Sequence, residues 1–184
     1  MRVITGTARG TNLYTLEGED IRPTTQRVKE SEFSAIQFYV EGASVLDLFA
    51  GTGQMGIEAL SRGAVEAVFV DNDEEAVKII RKNLERTKIS AHSRIVKSDA
   101  FKYLTGLRRE FDIVFMDPPY RQNLAVRIVK ILEPVVADNG IVMCETELQA
   151  EMPAEAGRLS LVKEYRYGRI KIWMYRKRTE EDKL

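Results

Sequence analysis

The sequence predicts an α/β fold built on a doubly wound, largely parallel sheet. From Ser44 onward, short runs rich in Val, Ile and Phe alternate with amphipathic segments, as in successive βαβ units. A glycine-rich turn, "FAGTGQMG", follows the first of these runs. Crossovers between parallel strands are right-handed, so the carboxyl ends of the strands share one edge, where such sheets bind ligands. Functional residues are therefore expected at strand ends.

The chain before this core departs from the alternating pattern. The stretch "RVITGTARGTNLYTLEG" has short β-type runs broken by glycine, which predicts a small N-terminal hairpin. The segment "TTQRVKESEFSAIQFY" begins with threonines suited to an N-cap and predicts a helix. We expect residues 1–40 to form a hairpin and helix extension, and residues 41–184 to form the main domain.

Predicted strands and helices then follow one another in order. The strands are "SVLDLF", "AVFVDN", "RIVKSD", "FDIVFMDP" and "GIVMCE". Apolar residues recur at helical spacing in "QMGIEALSR", "EEAVKIIRKNLER", "AFKYLTGL" and "NLAVRIVKILEP". Near the C-terminus, "LSLVKEYRYGRIKIWMYRKR" alternates apolar and basic residues on both sides of Gly168. This alternation predicts a C-terminal antiparallel hairpin with one solvated face.

Composition limits the classes of function. A chain of 184 residues with 44% hydrophobic content suffices for one domain with a substantial core. Lys+Arg and Asp+Glu both number 28, so a nucleic-acid surface must come from local clustering. The single cysteine, Cys144, excludes an internal disulfide and predicts a buried thiol in a reducing compartment. The single histidine, His92, leaves no Cys/His zinc site or His-based triad, and we expect no metal.

The sequence also bears on the expected location. No apolar run approaches the roughly 20 residues of a membrane span. The opening "MRVITGTARG" lacks the apolar region of a signal peptide. We therefore expect a cytoplasmic protein without a membrane partner.

Three glycines, Gly51, Gly53 and Gly56, follow the first strand with the spacing G-x-G-x-x-G. Glycine permits a tight turn and close approach of a ligand, and the next helix offers unpaired N–H groups. The pattern fits a dinucleotide, another adenosine-containing cofactor, or a structural turn alone. Asp71 ends the second strand about 20 residues after Gly51 and favours an adenosine-containing cofactor, because its carboxylate can accept both hydrogen bonds of a ribose diol.

Two further acids bear on the choice of cofactor. Asp47, ahead of the glycines, would repel a pyrophosphate but attract the ammonium and sulfonium of S-adenosylmethionine. It therefore argues against a dinucleotide, although backbone donors of the turn could also satisfy it. Asp99 and Ala100 end the third strand, where the carboxylate suits an adenine amine or the N-cap of the next helix.

The most specific motif is "FDIVFMDPPY", in which Asp117, Pro118, Pro119 and Tyr120 close an apolar strand. Two prolines cannot continue a parallel ladder, so a stiff turn displays an acid and an aromatic ring at the ligand edge. An exocyclic amine on a base is a poor nucleophile because its lone pair is delocalised into the ring. The Asp117 carboxylate and the Pro118 carbonyl could hold its N–H bonds for attack on a methyl group, while Tyr120 stacks on the extruded base. A plain turn at the strand end is the alternative.

Together, "DLFAGTGQMGIEALSRGA", "FVDND" and "FDIVFMDPPY" resemble the class I S-adenosylmethionine-dependent methyltransferases with an amino-methylating (N/D)PP(Y/F) motif. "MRVITGTARGTNL" and "IRPTTQRVKESEF" resemble the opening of the RsmD family of 16S ribosomal RNA guanine-N2 methyltransferases. Ser34 stands where that family more often has asparagine. The resemblance implies a Rossmann-like sheet, an amine site at residues 117–120, and a cofactor site at Asp47, Gly51, Gly53, Asp71 and Asp99. We add the neighbouring Phe49, Ala50, Asn72 and Ala100 to that predicted site.

Basic residues cluster at both ends of the chain, as an RNA substrate would require for phosphate contacts. Ordinary solvated charge is the alternative for each of them. The N-terminal cluster comprises Arg2, Arg9, Arg22, Arg27 and Lys29, and the C-terminal cluster comprises Arg166, Arg169, Lys171, Arg176, Lys177 and Arg178. Its aromatic residues are predicted to pack the hairpin rather than to stack on bases. We predict RNA contacts at Arg2, Arg9, Arg22, Arg27, Arg166 and Arg169.

The sequence thus predicts methyl transfer from S-adenosylmethionine to the N2 amine of a guanine in small-subunit ribosomal RNA, free or within a partly assembled subunit. A DNA adenine-N6 methyltransferase is the main alternative, because D-P-P-Y serves that reaction too, although 184 residues leave little room for a target-recognition insertion. An NAD-dependent reductase is disfavoured by Asp47 and by the lack of a placed Tyr/Lys pair. A non-catalytic RNA-binding module leaves residues 117–120 unexplained.

Overall fold

The fold comes from a computed structural model, which describes residues 1–16, 23–119 and 123–179 and, at residues 23–25, the backbone alone. The strands in this part of the chain are β1 (Ser44–Leu48), β2 (Glu66–Asp71), β3 (Ser93–Lys97), β4 (Phe111–Met116), β5 (Val136–Glu147), β6 (Glu155–Ala156), β7 (Leu159–Tyr167) and β8 (Ile170–Lys177). The α-helices are α1 (Pro23–Ala35), α2 (Gln54–Ser61), α3 (Glu74–Thr87), α4 (Ala100–Gly106) and α5 (Leu124–Leu132). Short 3₁₀ turns cover Ser90–His92 and Glu133–Val135.

The strands form one mixed sheet in the order β3-β2-β1-β4-β5-β8-β7-β6. The first five strands are parallel, and β8 joins β5 in the antiparallel sense. The predicted doubly wound sheet is confirmed. The strand β5 begins at Val136, earlier than predicted, because the polar residues before Gly140 concealed its start and the pairing with β4 shifts register there.

Successive residues of the central strands enter different cores because side chains alternate across a strand. Val45 belongs to a core with α2 and α3 residues such as Ile57 and Ile80. Leu46 belongs to the opposite core, with α4 and α5 residues such as Leu104. Burial on both faces explains why these strands read as continuous apolar runs.

The described residues before β1 pack on the α2 and α3 side of the sheet, through apolar residues that include Phe33. The N-terminal hairpin consists of one antiparallel bridge, between Arg2 and Asn12. The predicted helix is present as α1 and ends at Ala35, before the predicted end at Tyr39. None of the helices in the described part of the chain is long and apolar enough to traverse a membrane.

The C-terminal hairpin of β7 and β8 is confirmed, with Gly168 at its turn in a positive-φ conformation (φ 58°). Trp173 and Tyr175 are buried, in agreement with a packing role. Lys171 and Lys177 are also buried, although we counted them with the basic cluster of the surface. Ion pairs with Glu164 and Glu110 compensate their charges. Cys144 is a buried free thiol, as predicted.

Candidate cofactor and amine site

The loop after β1 has a tightly turned backbone. Phe49, Gly51 and Gly53 all have positive φ, at 59°, 52° and 76°. Such a conformation is uncommon for phenylalanine and often marks functional sites. The glycines in the sequence predicted the turn, but no sequence pattern predicted the positive φ of Phe49.

Asp71 connects this loop to the end of β2. Its Oδ2 accepts a hydrogen bond from the backbone N–H of Gly51 at 2.8 Å, and its Oδ1 accepts one from Asp73 at 2.9 Å. Each carboxylate oxygen has two lone pairs, so both oxygens retain one for a ligand. Asp71 lines a cleft of about 400 Å³ together with Phe49, Asn72, Asp117, Pro118 and Pro119. This arrangement suits a ribose diol.

Asp47 is nearly fully buried on β1 and accepts a hydrogen bond from the backbone N–H of Gly56 at 2.9 Å. One carboxylate oxygen of Asp47 is therefore bound by a backbone donor of the turn, as the structural alternative for this residue predicted. Burial is the main cause that raises the pKa of Asp47 to about 7; the Gly56 hydrogen bond opposes this rise, and the Asp71 charge adds a smaller contribution to it. Asp47 nevertheless lines a cavity, so it can still meet a cation there.

The third glycine serves packing. A Cβ on Gly56 would lie 2.4 Å from the buried Phe69 ring, so α2 can approach β2 closely only with glycine here.

Asp117 lies between two adjoining spaces. It lines the 400 Å³ cleft and also a cavity of about 200 Å³. Residues of α1, β1, the glycine loop, α2, β4 and β5 surround this cavity, and they include Glu32, Asp47, Gly51, Gln54, Phe115 and Glu145. We name it the acidic cavity. Phe49 and Asp117 line both the cleft and the acidic cavity, so one elongated ligand can occupy both spaces. These residues could hold S-adenosylmethionine, because Asp71 offers acceptors for a ribose diol and Asp47 a carboxylate for a cationic group.

The proline turn carries Asp117 into this position. Leu48 pairs with Met116 across the parallel strands, so Asp117 and the glycine loop emerge side by side. Pro118 is buried, while Asp117 and Pro119 are exposed. A third cavity, of about 510 Å³, is lined by the same two prolines, the start of α5 and the chain from Glu145 to Met152. Tyr120, predicted to stack on the base, lies outside the described residues.

Asp99 and Ala100 have structural roles. Asp99 is the N-cap of α4, and its side chain accepts a hydrogen bond from the Lys102 N–H at 3.0 Å. Ala100 is buried against the α4 and α5 core. In the portion of the chain that is described, neither residue contributes to the cleft or the acidic cavity.

The two predicted RNA-contact regions adjoin each other. The Ser31 and Tyr167 hydroxyls are in contact, which joins α1 to the end of β7. The Lys29 ammonium donates to the backbone carbonyl of Arg2 at 2.9 Å, which joins α1 to the N-terminal segment. The arginines exposed in these elements are Arg2, Arg9, Arg27, Arg166 and Arg169. Arg22 is outside the described residues.

Two lining residues of the acidic cavity, Glu32 and Gln54, escaped the sequence analysis. Glu32 is 6% exposed, and the buried Oε1 of Gln54 has no hydrogen-bond partner among the described atoms. The helical periodicity of α1 could have predicted the burial of Glu32. It lies one helical turn after Val28 and next to Phe33, on the side of α1 that faces the core.

Comparisons with known proteins agree with this geometry. The family model described as "Conserved hypothetical protein 95" matches residues 1–176. "Putative rRNA methyltransferase YlbH" of Bacillus subtilis is 36% identical over 183 residues, which cover 97% of this chain and 100% of the relative. "Ribosomal RNA small subunit methyltransferase D" of Escherichia coli is 32% identical over 182 residues, covering 98% and 91%.

Among solved structures, "Putative methyltransferase yhhF from Escherichia coli" has a TM-score of 0.86 at 32% identity and covers 98% of this chain and 99% of its own. Sequence, fold and family model agree over nearly the whole length. The chain therefore belongs to the RsmD family of methyltransferases.

Proposed function

We propose that this protein transfers a methyl group from S-adenosylmethionine to the exocyclic N2 amine of a guanine in small-subunit ribosomal RNA. The observation that carries the proposal is the position of Asp117, between the cleft beside Asp71 and the acidic cavity. The names of the E. coli and B. subtilis relatives support ribosomal RNA as the substrate.

S-adenosylmethionine supplies a methyl group that its sulfonium already activates, so the protein mainly aligns the reactants. Asp71 binds the ribose, and Asp47 stabilises positive charge nearby. Asp117 and the Pro118 carbonyl accept the two N–H bonds of the target amine. Bound S-adenosylmethionine would supply the methyl carbon to the amine nitrogen and would keep the electron pair of the broken carbon–sulfur bond on its sulfur. The nitrogen then loses a proton to Asp117, whose exposed side chain passes it to solvent.

Residues 1–40 and the turn of the C-terminal hairpin form the proposed RNA surface, through Arg2, Arg9, Arg22, Arg27, Arg166 and Arg169. The exposure of the described members and the proximity of the two regions support this role. Residues 41–184 then form the methyltransferase domain, Tyr120 stacks on the extruded base, and the protein acts in the cytoplasm on free RNA or a partly assembled small subunit.

The direct test is incubation with labelled S-adenosylmethionine and one of three substrates: small-subunit ribosomal RNA, partly assembled small subunits or duplex DNA. Nucleoside analysis should find N2-methylguanosine in one of the RNA samples and no label in DNA. Asp117→Ala is the negative control. Label on adenine N6 of DNA would replace the proposal with its main alternative.

A further inference from the structure

We propose that the Glu32 carboxylate is a cofactor-binding group that holds the ammonium of the methionine part of S-adenosylmethionine. The inference rests on the proposed function and assigns a further residue to its cofactor site. It starts from the juxtaposition of four carboxylates, those of Glu32, Asp47, Asp117 and Glu145, around the acidic cavity.

Glu32 is a buried acidic residue in the lining of this cavity. Only 6% of Glu32 is exposed, and its carboxyl group has no hydrogen bond to any described residue. Leaving a buried carboxyl without a partner is costly, so such groups are normally paired. A ligand with N–H donors would supply the missing partner.

Lys29, the basic residue among the described lining residues, already binds groups outside the cavity. Its ammonium donates to the Arg2 carbonyl at 2.9 Å and lies 3.4 Å from Glu58, a buried carboxylate of α2. Among the described lining residues, acidic side chains outnumber basic ones by four to one, which favours a cationic occupant.

An organic ammonium fits this cavity better than a metal ion. Within the described residues, no three His, Cys, Asp or Glu side chains are close enough together to hold a metal. The unpaired Oε1 of Gln54, at the start of α2, offers the same ligand another acceptor. Gly51 and Thr52 of the glycine loop also line the cavity, so it adjoins the proposed cofactor site. A volume of about 200 Å³ accommodates an amino-acid moiety.

Binding should also release a proton. Burial, together with Glu145, Asp117 and Asp47, holds the pKa of Glu32 well above its usual range. A bound ammonium favours the charged carboxylate, so the proton leaves as the ligand enters. The other charged groups that line this cavity are Lys29, Asp47, Asp117 and Glu145.

The test is titration calorimetry with two adenosine ligands. S-adenosylhomocysteine retains the ammonium, whereas 5′-methylthioadenosine lacks the amino-acid part. Glu32→Gln should weaken S-adenosylhomocysteine binding by roughly 10- to 100-fold, the value of a hydrogen bond to a charged group. It should leave methylthioadenosine affinity unchanged, which also shows that the variant is folded. Glu30→Gln, on the exposed side of the same helix, is the matched control and should bind both ligands normally.

A second variant, Glu32→Leu, should give the same selective loss, because it removes the carboxylate and packs as an apolar residue. Equal S-adenosylhomocysteine affinity for wild type and Glu32→Gln would overturn the proposal, as would an equal loss for both ligands. If Glu32→Gln instead binds S-adenosylhomocysteine normally but loses guanosine binding, Glu32 contacts the target base and the proposal is wrong. A wild-type protein that binds neither ligand would overturn the proposed function itself.

Discussion

The Gly51 N–H donates to the Asp71 carboxylate at 2.8 Å and thereby joins the glycine loop after β1 to the end of β2. The carboxylate that we propose binds the ribose is consequently oriented by the glycine loop. Since Asp73 donates to the other carboxylate oxygen at 2.9 Å, both oxygens are held in place before a ligand arrives.

We predict that Asp71→Ala weakens S-adenosylmethionine binding by roughly 1.5–3 kcal/mol, because a charged acceptor for the ribose is lost. Calorimetry measures the effect. Asp73→Ala is the control, since Asp73 caps α3 and should affect helix stability without affecting affinity. Unchanged binding in Asp71→Ala, or tighter binding of NAD than of S-adenosylmethionine, would contradict the cofactor assignment.

We expect Asp117→Ala to lower single-turnover methyl transfer by about 100-fold or more, because alignment of the target amine is lost. Cofactor affinity and circular dichroism should remain those of the parent protein. Asp112→Ala provides a comparison on the same strand, since Asp112 binds Ser44 at the other end of β4. A parental rate in Asp117→Ala would make Asp117 a structural acid of the proline turn.

The affinity for S-adenosylmethionine should rise with pH up to about 7. The free protein keeps Asp47 protonated below that value because burial raises its pKa to about 7, whereas the bound cation favours the carboxylate. Binding therefore releases the Asp47 proton below this pKa, and Asp47 contributes no proton above it. Calorimetry across this range tests the sign. Asp47→Asn should bind more weakly and lose the step near pH 7, and a step that survives in this variant belongs to another group.

Glu58 should be a major stabilising residue. Its buried carboxylate accepts backbone N–H groups of Ile4 at 2.8 Å and Thr5 at 3.0 Å and pairs with Lys29 and Arg62. Glu58→Ala would leave the buried Lys29 without its counter-ion, at a cost of about 3–5 kcal/mol of unfolding free energy. Urea unfolding measures it. Glu75→Ala, which breaks an exposed pair with Lys78, should change the midpoint little.

Combined substitution of Arg2, Arg166 and Arg169 by alanine should weaken RNA binding and reduce its salt dependence while cofactor affinity stays constant. Each lost phosphate contact should lower the slope of log affinity against log salt by roughly 0.7–0.9. Filter binding at several salt concentrations gives the slope. Arg108→Ala, in the connection that precedes β4, serves as the control. An unchanged slope in the triple variant would place the RNA surface elsewhere.

Local patterns determined the elements and the reactive motif. The apolar runs predicted β1 to β4 because residues buried on both faces leave a continuous signature. Glycine spacing and Asp71 predicted the cofactor side, and two prolines after Asp117 predicted a stiff turn, since proline lacks the N–H that a strand needs. These features depend on residues that are close together in the chain, so they can be predicted from the sequence.

Contacts between distant segments were decided only by the tertiary structure. Lys171 and Lys177 resemble surface charges in sequence, yet the hairpin buries them against partners on other segments. Glu32 became a cavity residue because α1 packs over the ends of β1, β4 and β5, which brings it near Asp47, Asp117 and Glu145. Whether a charged side chain is solvated, paired or left facing a cavity depends on which remote groups surround it, and periodicity along one segment carries no information about those groups.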